Sequence, residues 1–210
     1  MEDKKLTPQE SMALISDMIA TTRRRLSVKD SNVLLLWGGM LVLISAAIAI
    51  LQCTPLHTAK WNLLWLLLIP VGIYNSYMRR KYSVKEPSTY TDKVSAGIWR
   101  GVWWIGLLTV GVCTVFQLTV GNNLVWMAMY FYAFVIIGMA AMAQGMVIRE
   151  VSLQTGGIFG VIMGAVMFCY FISGIAVSSV EGYLLVSLTY LVMFVIPGFV
   201  LRSKAKKQIR

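Results

Sequence analysis

The chain has 210 residues, of which 58% are hydrophobic and only 13% charged, and nineteen Lys and Arg outnumber nine Asp and Glu to give a net charge of +10. Soluble domains carry about 25% charged residues, so this composition excludes a water-exposed globular surface and with it a soluble enzyme. In a soluble protein the basic excess would suggest nucleic-acid binding. In a membrane protein it marks flanks held in the cytoplasm, and no nucleic-acid partner is expected.

Residues 1–30 are polar, without the apolar core of a cleavable leader, so the first apolar run is expected to stay as an anchor. Thr7-Pro8-Gln9-Glu10 reads as a capping box with Pro at the first helical position. Met12, Ile15, Ile19, Thr22 and Leu26 then recur at spacings of 3, 4, 3 and 4, placing them on one stripe. This predicts a cytoplasmic amphipathic helix over 1–30, with Arg23, Arg24 and Arg25 near its C-terminal end, where cations suit the helix dipole. Its stripe suits either a protein, which would be a cytoplasmic partner or a second copy in a homo-oligomer, or a leaflet rich in anionic lipid.

Six apolar runs follow, predicting an all-α polytopic fold of three helical hairpins with spans near 33–51, 61–78, 98–120, 124–148, 157–177 and 183–201, and a basic tail at 202–210. The first run has nineteen residues, about 28 Å of helix and close to the thickness of the hydrocarbon. Arg100 and Arg149 enclose a charge-free stretch too long for one helix, which Gly121-Asn122-Asn123 divides with turn chemistry. With both termini in the cytoplasm, all but Lys60 of the nineteen basic residues fall on that side. That asymmetry predicts orientation, and the expected location is a bacterial inner membrane.

Gly156, Gly160 and Gly164 recur at every fourth position of the fifth run, and Gly138, Ala141 and Gly145 make a similar small face on the fourth. Such strips allow close helix approach and predict packing positions, within the subunit or between copies. No Asp, Glu, Lys, Arg or His falls mid-span, which argues against a proton-coupled pump or a carrier of charged substrates. The mid-depth polar groups are Gln117 and Gln144, with Asn75 nearer the inner surface. His57 is the only histidine, and Cys53, Cys113 and Cys169 are widely spaced. No catalytic, metal or cofactor set is assembled from these residues, so an enzyme is not expected.

Ile15-Ser16-Asp17-Met18-Ile19 with Arg25-Leu26, Leu36-Trp37-Gly38, Leu67-Leu68-Ile69-Pro70, Tyr90-Thr91-Asp92 and Ile196-Pro197-Gly198 lie in order along the chain. Together they resemble an uncharacterised group of bacterial membrane proteins of about this length. The resemblance implies a bacterial cytoplasmic membrane and six helices, with no catalytic residues to carry over. Two functions suit these features. One is a regulatory or anchoring module acting through its cytoplasmic face. The other is a membrane-embedded binder or transport subunit for a neutral or apolar molecule, for which Met127, Met129, Met139 and Met142 would offer a soft lining.

Overall fold

The computed structural model describes residues 8–54, 59–83, 90–121, 123–174 and 179–207, with the side chains of 8, 10–11, 13–30, 59–60, 79–83, 123–124 and 179 outside the description. All described elements are helical. They are α1 (Pro8–Gln52), α2 (a 3-10 opening Ala59–Leu67 running into Leu68–Ser83), α3 (Tyr90–Val120), α4 (Met127–Ile148, preceded by a 3-10 turn Asn123–Trp126), α5 (Val151–Ile172) and α6 (Ser179–Tyr190, Leu191–Val195 and Ile196–Lys207). Among the described residues, five stretches are long and apolar enough to cross a membrane: Ser31–Gln52, Tyr90–Val120, Met127–Ile148, Val151–Ile172 and Val180–Lys207. The chain thus has the make-up of a multi-pass membrane protein.

The expected separate helices at 1–30 and 33–51 are one helix of 45 residues. Nothing between Gln9 and Trp37 breaks it, since no Gly or Pro occurs there. Some helices also outrun their apolar cores. α3 starts at Tyr90, ahead of the expected 98, and α6 continues to Lys207 through the expected tail. The fifth helix is displaced to Val151–Ile172, stopping where Gly174 adopts a left-handed φ of 66°. Hydropathy marks the hydrocarbon, while hydrogen bonds carry the helix beyond it.

α2 reaches its length differently. Its charge-free run, 61–78, would give only about 27 Å as pure α-helix. Winding the first part as 3-10, with about 2 Å of rise per residue, stretches it to about 30 Å, the hydrocarbon thickness. Pro70, in the first turn of the α-helical part, has no N–H to bond the Leu66 carbonyl, which favours the tighter winding upstream.

The closest pairings cross the boundaries of the expected hairpins. α4 lies along α5, and α1 lies along α6 for its whole membrane length. Ser31 Oγ donates to the Gly198 carbonyl at 2.9 Å, and Leu35 fills the space where Gly198 lacks a side chain. α6 is the central helix, with 44% of its apolar window buried, whereas α3 is peripheral at 17%. α2 meets its neighbours mainly through its 3-10 segment, and Gly72 sits near the rings of Trp37 and Trp103, which meet edge-on at 6.2 Å.

Candidate functional site: two π turns around a glycine strip

Among the described residues, two helices contain a turn of π-helix, α4 at Tyr132–Ile136 and α6 at Leu191–Val195. Such turns are rare and recur at functional positions. In α6 the cause lies in the sequence. Pro197 offers no N–H to the Met193 carbonyl one turn back, and the Ile196 N–H reaches instead to Leu191. The Met193 and Val192 carbonyl oxygens then lie 3.0 and 3.1 Å from the position a side chain on Gly156 would take. In α4 the Ala133 carbonyl accepts the Tyr190 hydroxyl at 3.3 Å, tying one π turn to the helix of the other. The Tyr132 hydroxyl reaches across to the Val102 carbonyl of α3 at 3.1 Å.

α5 runs between these turns with its glycines against both. Gly156 and Gly160 meet Met193, while Gly160 and Gly164 meet Phe134 and Gly164 also meets Val135. Gly157 lies against Gly138 and Met142 of α4. Phe134 and Met193, one from each π turn, are wholly buried here. The α6 turn is a hub. Its Phe194 stacks with Tyr190 at 6.0 Å, tilts against Trp99 of α3 at 5.9 Å and packs on Gly38 of α1.

All six glycine-face residues named from the sequence are therefore buried, with the five glycines in contacts between helices of one subunit. Gly145 closes the α4–α5 turn, where Gln154 Nε2 donates to its carbonyl at 3.1 Å. Arg149 turns the chain with a left-handed φ of 58°, and Glu150 pairs with Lys204 at 2.6 Å. Lys204 is largely exposed, so that pair contributes at most about 1 kcal/mol. In the N-terminal stripe Met12 is exposed at 76%. The side chains of Ile15, Ile19, Leu26, Arg23, Arg24 and Arg25 lie outside the described residues, as does His57.

Among the described residues no group of three His, Cys, Asp or Glu could hold a metal ion. Gln144 is 4% exposed and its Oε1 has no hydrogen-bond partner among them. Replacing Gln144 with leucine is expected to raise stability by about 1 kcal/mol, because an unsatisfied buried oxygen is removed at nearly constant shape. A lower melting midpoint for the variant would show that the amide is satisfied in the folded protein. Phe134, Tyr190 and Met193 carry no signal of their own in the sequence, although Pro197 inside an apolar run marks a disturbed helix. Comparison with protein-family models, curated proteins and solved structures gave no match.

Proposed function

We propose that the chain is a non-enzymatic module of a bacterial inner membrane that regulates or anchors a cytoplasmic protein through its N-terminal helix. The carrying observation is the unbroken course of α1 from Pro8 to Gln52. The 23 residues of α1 ahead of Ser31 would extend about 34 Å from the membrane-spanning part. Lying flat on the leaflet would require a sharp bend, and the usual causes of a bend are missing from the segment. A projecting rod with one apolar stripe suits a protein partner better than a lipid surface.

The test compares full-length protein with a 31–210 truncation and an Ile15→Asp/Ile19→Asp variant, each purified in mild detergent for mass spectrometry of retained proteins. A cytoplasmic protein held by the parent and lost from both altered forms is expected. Equal retention by all three would sink the reading, as would depth-dependent quenching that places a label at residue 15 in the headgroups.

The proposed orientation has both termini inside, supported by the asymmetry of the basic residues. Cys53 is exposed just past the end of α1. An impermeant maleimide should label it in intact cells. Labelling that requires permeabilised cells would reverse the topology.

A further inference from the structure

We propose that the outward face of α3 binds one anionic phospholipid, with its phosphate on Lys93 and Arg100 and an acyl chain laid over Gly111. At helical periodicity Lys93, Gly97, Arg100, Gly101, Trp104, Leu108, Gly111 and Val115 fall within one face of α3. Val102 and Cys113, the buried residues of this helix, lie on the opposite side. Lys93 and Arg100 are exposed, and a side chain added at Gly97, Gly101 or Gly111 would meet nothing within 4 Å. Farther along, Leu107, Leu108, Gly111, Val112, Val115 and Phe116 line an apolar groove of about 340 Å³.

The spacing fits a lipid. From Arg100 to Gly111 is about 16 Å of helix, half the hydrocarbon thickness. With Val120 at one hydrocarbon boundary, Arg100 sits at about the other, and Gly111 lies near the midplane. Cations thus lie at headgroup depth, and Trp104, 63% exposed, sits one turn deeper, where interfacial aromatics gather. The open groove lies where a chain from that leaflet ends. Lipid from the leaflet at the basic end of α3 would satisfy both halves of the face.

A second copy suits this face poorly. A two-fold axis along the membrane normal would set Lys93 against Lys93 and Arg100 against Arg100 of its mate. The exposed Trp104 would also hold apart the backbones that Gly97 and Gly101 would otherwise let approach.

Native mass spectrometry of the full-length protein, with added dioleoylphosphatidylglycerol or dioleoylphosphatidylcholine, tests the proposal. Two basic side chains near an anionic headgroup give an expected preference for phosphatidylglycerol on the order of 30-fold. Lys93→Gln/Arg100→Gln should abolish it, while Lys206→Gln/Lys207→Gln, equal in charge lost, should keep it. Gly111→Leu should fill the groove and weaken retention of both lipids. The altered positions are exposed, so folding is spared. Equal loss in both double variants would overturn the site in favour of general charge attraction. So would a preference unmoved by Lys93→Gln/Arg100→Gln, or a Leu108→Cys dimer that forms by disulfide at the expense of bound lipid.

Discussion

Gly157→Val should cost about 3 kcal/mol of stability, the upper end for overpacking a close-packed interior. A methyl group added at Gly157 would lie 2.5 Å from the Met142 nitrogen, 2.6 Å from the Gly138 carbonyl oxygen and 2.9 Å from the Met142 Cα. All three are backbone atoms of α4, so no side-chain rotation relieves the clash and the helices must separate. Gly101→Ala provides the contrast. Its added methyl meets nothing within 4 Å, and alanine should gain up to about 1 kcal/mol from helix propensity. For a chain of this size, about 3 kcal/mol corresponds to a melting midpoint lowered by roughly 6–12 °C. Tryptophan fluorescence during heating in detergent reads both variants. A Gly157→Val protein that melts with its parent would refute the close pairing of α4 and α5.

Phe134→Ala should cost about 3–5 kcal/mol, the range for emptying a buried aromatic site. Phe134 is fully buried, its ring lies 6.2 Å from that of Tyr130, and its backbone and Cβ close on Gly160 and Gly164. Water exclusion contributes little between helices in lipid, so the loss is chiefly dispersion contact that the surroundings cannot rebuild. Phe116→Ala should change stability by less than about 1 kcal/mol, because Phe116 is half exposed on the outer face of α3. Similar melting of the two variants would show that the α4 π turn is not the packed centre of the bundle.

The helices themselves were legible because apolar runs bounded by charge and turn residues report the hydrocarbon directly. So were Gly138, Gly145, Gly156, Gly160 and Gly164, whose spacing is a property of one helix. Their partners were not legible. That α1 lies on α6, or that Met193 meets Gly156 and Gly160, depends on which faces meet, and hydropathy has no angular information where nearly every side chain is apolar. The π turn of α4 was hidden for a related reason: an extra residue in one turn leaves the run of apolar letters unchanged, whereas Pro197 marks the turn of α6. The continuity of α1 was missed because a change from polar to apolar composition at Ser31 looked like a boundary between two elements. The helix crosses that boundary because solvent changes there while backbone geometry does not.

The unbroken α1 also has a mechanical consequence. With its membrane half held along α6, it is a lever whose other half continues about 34 Å past Ser31, accompanied at first by the part of α6 that runs on from Gly198 to Lys207. On the held side, Gly38 has no side chain between its backbone and Phe194, so the long arm bears almost directly on the widened turn of α6. Torque applied at the tip would thus be delivered to a turn where helical winding is already interrupted.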